Sequence, residues 1–153
     1  MVPKIDPTVA AVVVVFDPDD RFRQLLLSLV EQVNKIWIID NQPNSVFCNY
    51  INGGQFQQRN NITLLENQKN VGLAAAQNQG IELALEDGVD WILLLDQDSI
   101  LDKDFVKNML HTALEYKNKK NIGFLTPRHE FDDERPSVPT YSKGSFLKPR
   151  RYH

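Results

Sequence analysis

Apolar residues occur in this chain as short continuous runs, which are separated by segments with helical periodicity. The runs predict strands of a parallel sheet at residues 9–16, 35–40, 62–66, 91–95 and 122–126. Between them, apolar positions recur on one helical face at residues 22–33, 73–86 and 105–114, and a short helix is expected at 46–51. Because strands and helices alternate, we predict an α/β fold: a mostly parallel sheet with helices on both faces.

The same pattern predicts burial and the ends of helices. Asp19 or Asp20 is expected to cap the first helix, and Asp87-Gly88 to end the second. We expect the strand at 91–95 to be buried on both faces, because all its residues are apolar. The inner face of the second helix is predicted to consist of Leu73, Ala76, Gly80, Ile81, Ala84 and Leu85.

Composition limits the classes of protein to consider. A length of 153 residues is about one domain, which we place at residues 1–127 because the regular pattern stops near Arg128. Residues 128–153 are expected to form an irregular tail. The net charge of −3 predicts no general affinity for nucleic acid. The single cysteine, Cys48, cannot form an intrachain disulfide, which favours a reducing compartment.

The chain is also expected not to span a membrane. Its longest apolar run, residues 9–16, is far shorter than the roughly 20 residues that cross a bilayer. Two prolines and an acid interrupt the N-terminus, so we predict no signal peptide there. We therefore expect a cytoplasmic protein, which could still act peripherally at the inner face of the membrane.

Acidic residues follow three of the predicted strands. Asp17 follows the first, Asp40 ends the second, and Asp96 and Asp98 follow the fourth. The carboxyl ends of parallel strands meet at one edge of the sheet, where open α/β sheets bind ligands. Two carboxylates together with substrate phosphates are a usual Mg²⁺ site. The alternative is that these aspartates only turn the chain and cap helices.

A second candidate site is the glycine-containing turn before the second helix. Gly72 would let the backbone approach a ligand, and the helix N-terminus behind it could face an anion. The alternative is an ordinary helix start that is rich in glycine and alanine, and by itself this segment favours that alternative.

Taken together, four motifs resemble the nucleotide-sugar half of a GT-A glycosyltransferase of family two. In chain order they are VVVVFDP, IWIIDNQ, NVGLAAAQNQGI and WILLLDQDS. The last two most resemble the rhamnosyltransferase branch, which uses dTDP-L-rhamnose, and the match covers roughly residues 8–128. The resemblance implies a Rossmann-like GT-A sheet in residues 1–127. It also implies inverting, metal-dependent transfer to a polysaccharide or lipid-linked acceptor.

The resemblance assigns the nucleotide-binding residues one by one. Phe16 and the residues after it match the loop that packs around the base, although Asp17 stands where the family usually has Asn. Asp40 matches the acid that accepts a hydrogen bond from the imide N–H of the pyrimidine. Asn70 and Gly72 match the turn that borders the nucleotide-sugar site.

The same resemblance assigns the metal site. Asp96 matches the first acid of the motif, near the ribose and the metal, and Asp98 matches the ligand of Mg²⁺ or Mn²⁺. Family members continue with an acceptor-binding half that contains the general base, so we expect this chain to be a truncated donor-binding part. The catalytic base is left unassigned, because residues 132–134 are too close to Asp98 and read as a solvated acidic loop.

Two other functions remain open. One is a non-catalytic module that binds the nucleotide without turnover. The other is a receiver-like phosphoacceptor domain, in which acids at a parallel sheet edge bind Mg²⁺. No lysine ends the predicted fifth strand, which runs into Thr126-Pro127-Arg128 and so speaks against the receiver.

Overall fold

The structure, a computed structural model, describes residues 7–43, 51, 56, 59–116 and 122–127 of the chain. Within these ranges there are four strands and three helices. The strands are β1 (Val9–Val15), β2 (Lys35–Asp40), β3 (Ile62–Glu66) and β4 (Trp91–Asp96). The helices are α1 (Asp20–Leu29), α2 (Leu73–Glu86) and α3 (Phe105–Glu115).

The four strands form one parallel sheet in the order β3-β2-β1-β4. β1 lies between two neighbours and is almost wholly buried, which explains its run of alanine and valine. All four strands point the same way, so their carboxyl ends meet along one border of the sheet, which we call the carboxyl edge.

Helices cover both faces of this sheet. Alternate side chains of β1 point to opposite faces, and Val13 packs with α1 and α3 whereas Val12 packs beneath α2. On the first face the buried apolar residues of α1 are Phe22, Leu25, Leu26 and Leu29. The prediction of a mostly parallel sheet with helices on both faces is confirmed.

A close approach of α2 to the sheet is possible because its buried face consists of small residues. Ala76, Gly80 and Ala84 are the buried residues of this helix. A Cβ atom at Gly80 would overlap Val12 Cγ1 and would lie 3.2 Å from Ile39 Cγ1. The backbone of α2 therefore lies directly against the side chains of β1 and β2.

The ends of the helices largely agree with the sequence. Asp19 caps α1, since its Oδ1 accepts the Arg21 backbone N–H at 2.9 Å. Asp87 and Gly88 end α2, and Gly88 has the positive φ of 71° that favours glycine after a helix. The side chain of Gln32, which follows α1, accepts the Val106 N–H at 3.1 Å and so satisfies a free donor at the start of α3.

Three predictions about burial and strands are wrong. Residues 122–126 form no strand and Phe124 is 84% exposed, because no described strand pairs with them and a strand is stabilised only by pairing. β4 is not buried on both faces: it is the outer strand of the described sheet, α2 barely covers it, and Leu94 is 45% exposed. Leu73 and Leu85 are exposed, because the inward face of α2 is narrower than predicted.

Some predictions lie outside the described residues. They concern Cys48, most of the short helix at 46–51, the acids at 132–134 and the tail at 128–153. The division into a domain at 1–127 and a tail at 128–153 stays a prediction. Among the described residues, no helix has both the length and the apolar character needed to cross a bilayer.

The contact at Gly80 gives a test of the packing between α2 and the sheet. Glycine to alanine normally stabilises a helix by about 0.5–1 kcal/mol. At this position the added methyl group would overlap Val12, so we expect Gly80→Ala to destabilise the chain by about 1–3 kcal/mol in urea unfolding. Glu82→Ala, at an exposed position of the same helix, should change stability by less than about 0.5 kcal/mol. A more stable Gly80→Ala chain would contradict this packing.

Candidate functional site

Strand pairing brings the predicted acidic positions to the carboxyl edge. Asp40, the last residue of β2, pairs with Val15 at the end of β1, and Asp96, the last residue of β4, pairs with Val14. Asp17 and Asp98 follow directly after the ends of β1 and β4. The prediction that these acids share one edge is therefore confirmed.

A cavity of about 350 Å³ opens at this edge. It is bordered by the ends of β1, β2 and β4 and by the turn that leads into α2. Four residues predicted from the sequence line it: Phe16, Asn70, Gly72 and Asp96. The other lining residues are Val14, Asn41, Leu73 and Gln97. Asp17, Asp40 and Asp98 lie at the same edge but do not line the cavity.

The carboxylate of Asp40, one residue before the cavity-lining Asn41, is buried. Asp40 is only 1% exposed, and its Oδ1 accepts the Gln42 backbone N–H at 3.0 Å. Its Oδ2 is buried and has no hydrogen-bond partner among the residues that the structure describes. A buried carboxylate oxygen without a donor is costly, and a donor that reached this atom would lower that cost.

Asn41 is the centre of a network of side-chain amides that holds the turn before α2. It is 3% exposed, and its Nδ2 donates to Asn70 Oδ1 at 3.0 Å. Its Oδ1 accepts the Val71 N–H at 3.0 Å and Asn67 Nδ2 at 3.2 Å. Asn67 in turn exchanges two hydrogen bonds with Gln79 of α2, at 3.0 and 3.1 Å.

Gly72 completes this turn. Its φ of 84° lies in the region that favours glycine, and its N–H donates to Asn70 Oδ1 at 2.8 Å. The cavity wall formed by Asn70 and Gly72 is thus hydrogen-bonded to Asn41, which follows β2. Asn41 is in turn connected to Gln79 of α2 through Asn67.

Asp17 adopts an unusual backbone conformation at the end of β1. Its φ of 49° is left-handed, a conformation that aspartate and asparagine tolerate better than other residues with a Cβ atom. Its N–H donates to Gln42 Oε1 at 2.8 Å. This position therefore has a conformational role, and a direct role of Asp17 in nucleotide binding stays a prediction.

The two acids that could bind a metal are exposed, and one of them, Asp98, lies near Arg21. Asp96 and Asp98 are both exposed, and Arg21 Nη1 of α1 lies 3.5 Å from Asp98 Oδ2. Arg21 binds Asp19 more closely, at 2.8 Å. Hydrogen bonds from the side chain and the backbone N–H of Arg21 lower the pKa of the Asp19 carboxyl. The longer contact with Asp98 is solvent-exposed and therefore weak, so a divalent ion could replace it.

The carboxylate oxygens of Asp96 and Asp98 are ligands that suit a hard cation, but they do not enclose one. Within the described ranges, no group of three or more acids, histidines or cysteines is placed to hold a metal ion. Two carboxylates with oxygen ligands supplied by a diphosphate remain a usual arrangement for Mg²⁺. Metal binding by Asp96 and Asp98 thus stays a prediction that the geometry permits.

Four amide residues of the site were not predicted from the sequence: Asn41, Asn67, Gln79 and Gln97. They carry no charge and so do not stand out beside the aspartates. A usable signal was present, since Asn41 and Asn67 each directly follow the last residue of a predicted strand, in β2 and β3. Polar amides that follow two neighbouring strands are expected to meet at the carboxyl edge.

Comparison with known proteins identifies the family. Residues 10–152 match the model of the family described as Glycosyl transferase family 2, which is almost the whole chain. This chain belongs to glycosyl transferase family 2. The resemblance inferred from the four motifs is thereby confirmed, and the fold, with its carboxyl-edge cavity, agrees with it.

The chain spans less than half the length of two longer proteins to which it is similar. It is 28% identical over 120 residues to the dTDP-rhamnosyl transferase RfbF of Shigella flexneri, covering 78% of this chain and 38% of that protein. Its fold is similar to the crystal structure of S. aureus TarS 1-349, with a TM-score of 0.55 and 16% identity over 71% of this chain and 32% of that one. The second likeness shows the fold alone.

The Asn41 network predicts a stability effect. Asn41→Ala would leave the Val71 N–H and the amides of Asn67 and Asn70 without their partner in a partly buried position. We expect a loss of about 1–3 kcal/mol in the free energy of unfolding, measured with urea. Asn78→Ala, at an exposed position of α2, is the control and should stay within about 0.5 kcal/mol of the unsubstituted chain. Equal effects of both substitutions would show that the network does not stabilise the turn.

Proposed function

We propose that this chain is the donor-binding part of an inverting, metal-dependent glycosyltransferase. Its donor is a nucleotide-sugar, dTDP-L-rhamnose, and the acceptor of the whole protein is a polysaccharide or a lipid-linked saccharide. The observation that carries this proposal is that Phe16, Asn70, Gly72 and Asp96, from three separate parts of the chain, line one cavity. Its volume, about 350 Å³, lies within the range of small-molecule sites.

The choice of nucleotide is supported by Asp40. Its Oδ2 is buried, does not line the cavity and has no partner among the described residues, so a pyrimidine imide N–H would supply the missing donor only if nucleotide binding uncovers this oxygen. The larger ring system of a purine does not fit that pairing in the same pocket. The choice of rhamnose is supported by the relative named as a dTDP-rhamnosyl transferase and by the Asp96-Gln97-Asp98-Ser99 form of the motif.

The metal site is supported by the chemistry of the exposed carboxylates. Asp98 would bind Mg²⁺ or Mn²⁺, and Asp96 would divide its contacts between the ion and the ribose. When bound, the ion would neutralise negative charge that develops on the departing diphosphate. Arg21, within 3.5 Å of Asp98, adds a positive charge at the same edge of the sheet.

The transfer itself needs groups that we do not assign to this chain. An acceptor hydroxyl would attack the anomeric carbon from the face opposite dTDP, and a general base would take its proton. We propose that this base and the acceptor site belong to a further part of the protein. We also propose that the whole protein acts in the cytoplasm or at the inner face of the membrane. Membership of family 2 speaks against the receiver-domain alternative.

Nucleotide selectivity tests the role of Asp40. In calorimetry with Mg²⁺, we expect dTDP and UDP to bind and ADP and GDP to bind much more weakly. Asp40→Asn replaces an acceptor by an amide and should weaken dTDP binding by about 1–3 kcal/mol. Asp102→Asn, an exposed acid after β4, should leave the affinity unchanged. Equal affinity for dTDP and GDP would remove the base-reading role from Asp40.

Metal dependence tests Asp98. Asp98→Ala should abolish the part of dTDP affinity that depends on Mn²⁺ while the fold stays intact, since the side chain is exposed at a strand end. The effect of Asp96→Ala should be smaller, because its contacts are divided. Asp20→Ala, another exposed acid at the carboxyl edge, is the matched control. If Mn²⁺ does not change dTDP affinity in the unsubstituted chain, the metal assignment is wrong.

A further inference from the structure

The side chain of Gln97, between the two acids of the motif, holds the backbone of Phe16. The Phe16 N–H donates to Gln97 Oε1 at 2.8 Å, and Gln97 Nε2 donates to the Phe16 carbonyl at 3.2 Å. One amide side chain therefore satisfies both backbone groups of a residue 81 positions earlier in the sequence.

These two hydrogen bonds continue the sheet where its backbone pairing stops. The last paired residues of β1 and β4 are Val14 and Asp96. Beyond this pair the amide of Gln97 offers one acceptor and one donor to β1, as the backbone of a neighbouring strand would. On the other side of β1, Gln42 Oε1 accepts the Asp17 N–H at 2.8 Å. The two glutamines thus hold the Phe16–Asp17 peptide group from opposite sides.

Holding the backbone of Phe16 has a consequence for the cavity. Phe16 is 50% exposed and lines the cavity, so packing against the described residues leaves about half of this large apolar residue open to solvent. A planar ligand stacked on the ring would cover this exposed part, and a nucleobase is such a ligand. Asp96, one residue before Gln97, lines the same cavity. The hydrogen bonds of Gln97 therefore connect the backbone that carries the acid to the backbone that carries the aromatic ring.

We propose that Gln97 is a positioning residue for the nucleobase. Its amide fixes the Phe16 backbone, and the Phe16 side chain is thereby held against the base while the neighbouring acids serve the ribose and the metal. This role rests on the proposed function, because it requires that the cavity bind a nucleotide. In this role the neutral Gln97 connects the loop after β1 to the acidic motif after β4 by hydrogen bonds.

A double-mutant cycle on the whole 153-residue chain tests this role. Gln97→Met removes both hydrogen bonds and nearly keeps the side-chain volume, and Phe16→Ala removes the ring. Calorimetry with dTDP and Mg²⁺ should show about tenfold weaker binding for Gln97→Met, from the loss of two hydrogen bonds. In the Phe16→Ala background the same substitution should change the affinity by less than about twofold, because the coupled ring is absent. Gln24→Met, at an exposed position of α1, is the matched control and should have no effect.

A second measurement does not depend on the ligand. Hydrogen exchange of the Phe16 amide, followed by NMR, should be faster in Gln97→Met than in Gln24→Met. If Gln97→Met does not fold by circular dichroism, Gln97→Asn takes its place, since its shorter amide cannot make both bonds. Unchanged exchange, or equal losses of affinity with and without the Phe16 ring, would overturn the positioning role. Failure of the unsubstituted chain to bind dTDP, with exchange still faster in Gln97→Met, would overturn the proposed function and the nucleobase role that rests on it.

Discussion

The pairing of β1 on both of its sides is the interaction on which the rest of this structure depends. β1 is hydrogen-bonded to β2 and β4 and is almost wholly buried, so both faces of the sheet must be covered by helices. Because both pairings are parallel, the three strands end at the same edge. Residues that are far apart in the sequence, such as Phe16, Asn41 and Asp96, become neighbours there for this reason.

The fold could be predicted from the sequence as far as local patterns determine it. The valine-rich run of β1 and the helical spacing of Phe22, Leu25 and Leu29 report burial directly. An apolar run does not show, however, which strands pair with it or which helices cover it. Leu94 of β4 is partly exposed and residues 122–126 form no strand, because burial and pairing depend on other segments of the chain.

The aspartates of the site, together with Phe16, Asn70 and Gly72, were predictable from the sequence, whereas the amides Asn41 and Gln97 were not. Asp40 and Asp96 were recognisable because a carboxylate at the end of a buried strand requires a physical reason. Gln97 gave no such signal and Asn41 gave only its position after a predicted strand, since amides are common in loops and their partners lie 81 and 30 positions away. Asp17 and Asp98 reach the predicted edge without lining the cavity, a distinction that depends on side-chain geometry and not on sequence position.

Because the network around Asn41 consists of neutral amides, the shape of the site and its charge depend on different residues. Asparagine and glutamine side chains have no proton to gain or lose in the physiological range, and hydrogen bonds between neutral groups are little screened by salt. The wall formed by Asn70 and Gly72 can therefore keep one geometry while the electrostatic interactions of the exposed Asp96 and Asp98 vary with ionic strength. Such a division lets the electrostatics of the site vary from one relative to another without any rebuilding of its frame.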